Sequence, residues 1–156
     1  MRDILRRPFL GRAAPGGTMK ISVMAATDIG RVRDHNEDDY VALGGKESPP
    51  GVDALLVVAD GMGGHAAGEV ASKMTVDGIV QSLNDQREEV SKLEGNAFGM
   101  FLGKVLEDVN LEVWQAAQED DKRGMGTTCT LAAIRGDQLF LAHIGDSRAY
   151  LLREGD

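Results

Sequence analysis

Apolar residues recur along the chain with spacings that predict strands first, then two helices, then strands again. The run 54–59 is continuously apolar, which predicts a buried central strand. Apolar positions at helical spacing over 66–83 and 97–118 predict two helices with broad apolar faces. Gly136-Asp137 is typical of a two-residue hairpin turn. The other predicted strands lie at 19–26, 39–43, 127–135, 138–144 and 148–153.

The segments between these elements are predicted to be loops, linkers and a tail. The stretch 44–53 contains glycine, serine and two prolines, and the polar stretch 84–96 is predicted to be mostly linker. Residues 1–18 are rich in Arg, Gly and Pro and lack the apolar middle of a secretory signal, so we interpret them as a disordered extension. Residues 19–156 then form one partial domain, because the chain stops at a turn whose second strand is missing.

Composition and charge exclude several classes of protein. The chain has 156 residues, of which 42% are hydrophobic and 27% charged, as in a globular domain. The net charge of -8 argues against a nucleic-acid partner. We expect no membrane partner, because no apolar run approaches the roughly 20 residues that span a bilayer. Cys129 is the only cysteine, which excludes an intrachain disulfide and agrees with a cytoplasmic location.

Acidic residues lie at the ends of predicted strands, where they are candidate metal ligands. Glu37 and Asp38 lie between two predicted strands, Asp60 ends the most apolar one, and Asp146 follows another. An aspartate that closes a buried strand is costly unless a cation or strong donors meet it. Oxygen ligands suit Mg²⁺ or Mn²⁺, and one cysteine with three scattered histidines suits Zn²⁺ poorly. Each acid taken alone is more often a turn former or a helix cap, so only their joint occurrence favours a metal site.

The glycine-rich turn after Asp60 has two interpretations. Glycines let the backbone approach a ligand closely, which makes the Gly61 carbonyl a candidate metal ligand. The turn also nominally matches a dinucleotide-binding fingerprint between a strand and a helix. We disfavour that alternative, because Asp60 would place negative charge beside a pyrophosphate and antiparallel hairpins follow. Arg33 lies four residues before Glu37 and is either a ligand for a phosphoryl oxygen or, more commonly, a surface arginine in a salt bridge.

Four motifs occur in order along the chain: DIGRVR with NED in 28–38, VADGMGGH with GE in 58–69, GMGTT in 124–128 and HIGDSRAY in 143–150. Together they resemble the type 2C family of metal-dependent protein serine/threonine phosphatases, most of all its bacterial branch. The resemblance spans about residues 19–156. It implies an α+β fold, an αββα sandwich of two antiparallel sheets flanked by helices, with the C-terminal part missing.

The resemblance also implies roles for the candidate metal ligands. Asp60 would bridge two Mn²⁺ or Mg²⁺ ions, and Glu37 with the carbonyl of Gly61 would complete the coordination of one of them. Asp146 would help to bind a third, looser metal. The family supplies two further metal-binding aspartates from its C-terminal part, and this chain ends before them. We therefore expect the chain alone to bind metal weakly and to be weakly active or inactive.

The implied reaction is hydrolysis of phosphoserine and phosphothreonine on proteins by a metal-activated water. Arg33 would hold the substrate phosphate and Asp38 would orient the metal-bound water. The implied partners are phosphorylated proteins, and the enzyme would oppose bacterial Ser/Thr kinases. Two alternatives remain open: a non-catalytic regulatory or binding member of the same fold, and the dinucleotide-binding domain.

The motifs contain further residues to which we assign no catalytic role. Some family members have a histidine as proposed general acid where this chain has Met62. His65 lies at a predicted helix start, which favours packing or capping, so the general acid stays unassigned. Residues 126–128 and 147–148 are expected to shape strands and a turn rather than touch substrate.

Overall fold

The computed structural model describes residues 20–63 and 67–153, so the predicted extension 1–18 and the predicted final turn lie outside them. Within this part, one face of an antiparallel sheet packs against a layer of helices. The strands are β1 (Asp38–Gly44), β2 (Ala54–Met62), β3 (Gly126–Thr127), β4 (Cys129–Arg135) and β5 (Gln138–Ile144). The α-helices are α1 (Ala67–Asp85), α2 (Arg87–Val90) and α3 (Gly95–Ala116), and a 3₁₀ turn spans Gly45–Glu47.

The sheet has the order β1-β2-β4-β5, with the short β3 beside the end of β2. Each of these pairings is antiparallel, so the described strands form no parallel βαβ unit of the kind that binds dinucleotides. The predicted hairpin is confirmed, because Gly136 has a φ of 61° and joins β4 to β5 in register from Arg135–Gln138 onwards. Strand β2 is central, as predicted from its apolar run.

One face of the sheet carries the core. Alternate residues of β2 and β4 are buried against the helices, among them Leu55, Val57 and Leu131. The opposite face is open in the described part of the chain, where Val58 is 50% exposed and Leu141 is 55% exposed. The predicted burial of this central strand is therefore confirmed on the face that packs against the helices, whereas Val58 on the other face is exposed.

Both long predicted helices are confirmed, and their apolar faces cover the sheet. Helix α1 contributes Ile79 and Leu83, and α3 contributes Phe98 and Leu102, all at most 1% exposed. Burying a side chain of this size contributes about 1.5–3 kcal/mol to folding. Because several such side chains lie on one face of each helix, the segments with helical periodicity form helices here. The ring of Phe98 meets Phe140 of β5 edge to face at 4.9 Å between centroids, which joins α3 to the sheet.

Two predicted strands were wrong in the described residues. Residues 20–26 and 148–153 have no regular secondary structure, because within the described ranges neither finds a neighbouring strand to pair with. Strand propensity reflects fit to a pleated surface and yields no ladder without a partner. Val23 instead packs against Gly44 at the end of β1. The stretch 84–96 also contains α2 in addition to linker.

The α+β class is confirmed, and the described part of the chain forms one antiparallel sheet and one helical layer of the expected sandwich. None of the helices described here has both the length and the apolar character that crossing a bilayer requires.

Candidate functional site

The β1–β2 ladder brings three of the predicted acids together. Asp38 and Asp60 are direct partners in the register, on neighbouring strands. The amide of Gly61 donates to the carbonyl of Glu37 at 3.0 Å, which extends the ladder by one residue beyond β1. Glu37, Asp38, Asp60 and Gly61 therefore lie at one end of the same strand pair.

Glu37 is held by the close approach of α1 to the end of β2. A β-carbon on Gly61 would lie well inside 3.0 Å of the backbone carbonyl oxygens of Glu37 and Gly68. A β-carbon on Gly68 would lie 2.5 Å from Oε1 of Glu37. Gly68 belongs to the first turn of α1, so the carboxylate lies near the positive end of the helix dipole. The Glu37 side chain is only 15% exposed as a result.

Arg33 lies at the rim of this acidic cluster. Its Nη1 is 3.2 Å from Oε2 of Glu37, and its side chain is 63% exposed. A guanidinium has five N–H donors in a planar fork, so one bond to Glu37 leaves other donors directed away from it. The salt bridge expected of a surface arginine thus exists, and it holds the group where an incoming anion would meet it.

Within this acidic cluster, the pKa of Asp38 is raised above its ordinary value. The surrounding protein removes part of the water from its carboxyl group, and this desolvation raises the pKa of Asp38 above 3.8. The negative charge of Asp60 and a hydrogen bond shared with the Asp60 side chain raise the pKa further, and Glu37 adds to the effect. Arg33 opposes these causes and lowers the pKa of Asp38. Asp38 therefore keeps its proton to a higher pH than a free aspartate does.

Because the pKa of Asp38 is raised, this carboxyl is expected to lower the free energy of unfolding as pH rises when no divalent cation is bound. A carboxyl with a raised pKa in the folded state contributes stability below its unfolded pKa of about 3.9 and loses it as pH rises through the folded value. Relative to Asp38→Asn, which stays neutral, the wild-type chain is therefore expected to lose stability from about pH 4 upwards. Urea unfolding in EDTA at successive pH values measures this difference.

Glu107→Gln on α3 is the control for removing one charge elsewhere on the surface. A stability difference between wild type and Asp38→Asn that stays constant, or grows in favour of the wild type with rising pH, would contradict the raised pKa of Asp38.

Asp146 lies in a turn that is tied to Asp60 through Thr128. The amide of Thr128 donates to the carbonyl of Asp60 at 2.9 Å, and the amide of Asp60 donates to Oγ1 of Thr128 at 3.1 Å. The same Oγ1 is 2.7 Å from the hydroxyl of Ser147. The side chain of Asp146 itself is exposed. The structure thus brings the neighbours of Asp146 to the main chain of Asp60, which agrees with the expectation that Thr128 and Ser147 shape strands and a turn.

No sequence pattern indicated a specific role for Gly68 or the two hydrogen bonds between Thr128 and Asp60. A glycine in the first turn of a predicted helix was the available signal for Gly68, because glycine is a poor helix former and needs a packing reason there. His65 lies outside the described residues. Cys129 is buried, and burial raises the pKa of its thiol to about 12, so it is a core residue and not a nucleophile.

The donor set fits part of a site for a hard divalent cation. Glu37, Asp38 and Asp60 offer oxygen ligands only, as Mg²⁺ and Mn²⁺ prefer. Across residues 20–63 and 67–153, no group of three or more His, Cys, Asp or Glu side chains is already placed to hold a metal ion. These three acids alone would supply only part of the oxygen ligands that such a cation takes.

Comparison with known proteins agrees with this picture over most of the chain. The family described as Protein phosphatase 2C matches residues 31–156. A serine/threonine phosphatase stp of Listeria monocytogenes is 42% identical over 129 residues, which cover 81% of this chain and 48% of that protein. This chain therefore spans about half the length of that relative.

Solved structures share the fold as well as the sequence. Serine/threonine phosphatase Stp1 from Staphylococcus aureus superposes with a TM-score of 0.73 at 35% identity, over 92% of this chain and 53% of that one. The catalytic domain of serine threonine protein phosphatase PstP, in complex with two manganese ions, superposes with a TM-score of 0.68 at 37% identity, over 86% of this chain and 52% of that one. On the family match, the identities and the shared fold, this chain belongs to the protein phosphatase 2C family.

Proposed function

We propose that the protein hydrolyses phosphoserine and phosphothreonine on other proteins with the help of Mn²⁺ or Mg²⁺. The observation that carries the proposal is the meeting of Glu37, Asp38 and Asp60 at one end of β1 and β2, with Arg33 at the rim. Membership of the phosphatase family and the manganese ions bound by PstP support it.

The acids of this chain hold the cations in the proposal. Asp60 would be a ligand to both of them, and Glu37 with the carbonyl of Gly61 would hold one. When bound, such cations would supply an activated water and stabilise charge in an in-line displacement at phosphorus. Asp146 would help to hold a third, weaker cation, and the turn that carries it is anchored to the main chain of Asp60 through Thr128.

Arg33 and Asp38 act on the substrate side. The Arg33 guanidinium binds two phosphoryl oxygens with N–H donors not used by Glu37, which fixes the phosphorus for attack. Asp38 accepts a hydrogen bond from the attacking water and orients it in line with the leaving alcohol. Water then forms the new P–O bond as the serine or threonine oxygen departs and takes up a proton, so that inorganic phosphate and the free hydroxyl result.

The partners follow from this reaction. The substrates are phosphorylated proteins, and Ser/Thr kinases supply them, so the enzyme opposes those kinases. The buried, unpaired Cys129 suits the reducing cytoplasm, which is where we place the protein.

A non-catalytic member of the family is the second candidate. The specific observation in its favour is that the described residues do not assemble three metal-ligating side chains by themselves. Such a protein would bind phosphoproteins without turning them over.

Asp60→Asn is expected to reduce turnover of a phosphoserine peptide with Mn²⁺ by more than about 100-fold, because even groups that only orient metal ligands are worth 10- to 100-fold. The bonds between Thr128 and Asp60 that the structure shows involve the main chain of Asp60, so the fold is expected to survive the change. Phosphate release by the full protein, with and without EDTA, gives the measurement.

Asp108→Asn on the exposed face of α3 removes a carboxylate far along the chain from the cluster and is the matched control. Phosphate release that is indifferent to EDTA and to Asp60→Asn would refute the proposal. Mn²⁺ binding without any turnover in the wild type would favour the non-catalytic candidate, and nicotinamide-cofactor binding in EDTA would favour a dinucleotide site.

A further inference from the structure

His143 makes two hydrogen bonds that the proposed reaction does not use. It lies on β5 directly opposite Thr130 of β4 in the sheet register. Its Nδ1 is 2.9 Å from Oγ1 of Thr130, and its Nε2 is 2.9 Å from the carbonyl oxygen of Gly145. The ring therefore spans from the neighbouring strand to the turn that follows its own strand.

The chemistry of the two partners fixes the direction of both bonds in the neutral ring. A carbonyl oxygen can only accept, so Nε2 of His143 is the nitrogen that carries the hydrogen and donates to Gly145. Nδ1 is then an acceptor, and the hydroxyl of Thr130 must donate to it. The result is a directed chain of donors from Thr130 through His143 to Gly145.

The acceptor of this chain is the carbonyl oxygen of Gly145, which lies in the peptide unit that joins Gly145 to Asp146. The carbonyl of Gly145 and the amide nitrogen of Asp146 are parts of one planar peptide unit. Fixing that oxygen therefore restricts the nitrogen and α-carbon of Asp146 and the direction in which its side chain starts.

A second contact holds the same turn from another side. Gly145 has a φ of 105°, a conformation that favours glycine, and a β-carbon there would lie 2.7 Å from Cβ of Thr128. The hydroxyl of Ser147 meets Thr128 as well. Among these contacts, the bond from His143 is the one made to an atom of the peptide plane between Gly145 and Asp146.

We propose that His143 is a positioning residue that orients the peptide plane of Gly145–Asp146 and, through it, the carboxylate of Asp146. The importance of this for cation binding rests on the proposed role of Asp146 as a ligand. The orientation of the turn is a separate, measurable consequence of the contacts of His143.

The first measurement is the state of the His143 ring. In ¹⁵N-labelled full chain, two-bond ¹H–¹⁵N correlations are expected to show the tautomer with hydrogen on Nε2 and an acceptor Nδ1. The tautomer with hydrogen on Nδ1 would overturn the proposal, because Nε2 could not then donate to Gly145.

The second measurement is the order of the turn in variants. His143→Ala is expected to lower the backbone order parameters of residues 145–147 from about 0.85 to below about 0.6, as for a flexible loop. His143→Gln carries an N–H donor near the position of Nε2 and is expected to restore most of the order, whereas the shorter His143→Asn is not. Leu141→Ala, on the same open face of β5, is the control for loss of a side chain.

The third measurement is Mn²⁺ affinity, followed by paramagnetic broadening. His143→Ala is expected to weaken the cation site at Asp146 by about tenfold, the lower end for groups that orient metal ligands. Order parameters unchanged in both His143→Ala and Thr130→Val would overturn the positioning role. If His143→Ala loosens the turn but Mn²⁺ does not bind at Asp146 in either the wild type or the variant, the positioning role is supported. The same result would count against Asp146 as a ligand in the proposed function.

Discussion

Gly61→Ala is expected to destabilise the folded chain by about 3 kcal/mol or more, at or above the upper end for overpacked sites. The new methyl group would lie against the carbonyl oxygens of Glu37 and Gly68, well inside the distance of any real β-carbon contact. Both obstacles are backbone atoms, so neither can turn away as a flexible side chain would. The entry to β1 or the start of α1 must move instead. Urea unfolding of the wild type and the variant measures the loss.

Two other glycines calibrate this effect. Gly103→Ala in the middle of α3 meets no atom within 4 Å and is expected to stabilise the chain by up to about 1 kcal/mol, because alanine is the better helix former. Gly68→Ala would place its methyl group closest to the carboxylate of Glu37, a side chain that can swing away, and 3.0 Å from the carbonyl carbon of Gly61. Its cost in stability should therefore be smaller than that of Gly61→Ala, whose obstacles are both backbone oxygens. Equal stability of Gly61→Ala and Gly103→Ala would show that β2 and α1 are not in contact at Gly61.

The same contact links folding to the proposed chemistry. The amide of Gly61 donates a hydrogen bond to the carbonyl of Glu37 on one side. On the other side, the lack of a side chain at Gly61 lets α1 approach closely. A shift of either element changes the separation of the Glu37 and Asp60 carboxylates, which must meet the same cations in the proposal. Gly68→Ala is therefore expected to weaken Mn²⁺ binding with only a small loss in the free energy of unfolding. Gly61→Ala is expected to weaken Mn²⁺ binding and to lower the free energy of unfolding substantially.

Local patterns predicted the parts of the fold that bury their own apolar faces. The helical spacing of Phe98, Leu102 and Val105 is enough to define α3, and the hairpin turn at Gly136 is enough to place β4 beside β5. The segments 20–26 and 148–153 have equally strand-like residues. Pairing depends on a partner strand, however, and a single segment contains no information about its partner.

The candidate site was predictable in its composition and not in its contacts. The positions of Asp60 at a strand end and Glu37 before a strand indicated metal-binding acids. That Asp38 faces Asp60, which raises the pKa of Asp38, depends on the register of two strands. The bonds of Thr128 to Asp60 join residues 68 apart in sequence, and no local pattern encodes such a pair.

Arg135, at the far end of β4, shows the same limit, because no local sequence pattern indicated its role. Its Nη1 donates to the carbonyls of Val90, at 3.0 Å, and of Leu93, and its Nη2 donates to the carbonyl of Ser91 at 3.1 Å. The guanidinium carbon also lies 5.1 Å from the centre of the buried Phe98 ring. One side chain thus satisfies three carbonyls in the connection between α2 and α3 and fastens that connection to the sheet.

Arg135→Ala is expected to destabilise the chain by about 3 kcal/mol, because hydrogen bonds to a charged group contribute about 1.5–3 kcal/mol each and the partial exposure of this group reduces their sum. Arg135→Lys keeps the charge, but an ammonium lacks the planar fork that reaches three carbonyls, so it should recover only about half of the loss. Thermal and urea unfolding provide the measurement. Arg123→Ala breaks an exposed ion pair with Asp120 and should change the stability by less than about 0.5 kcal/mol. Full recovery by lysine would mean that charge alone matters at position 135, and a loss no larger than that of Arg123→Ala would mean that the three carbonyls find water instead.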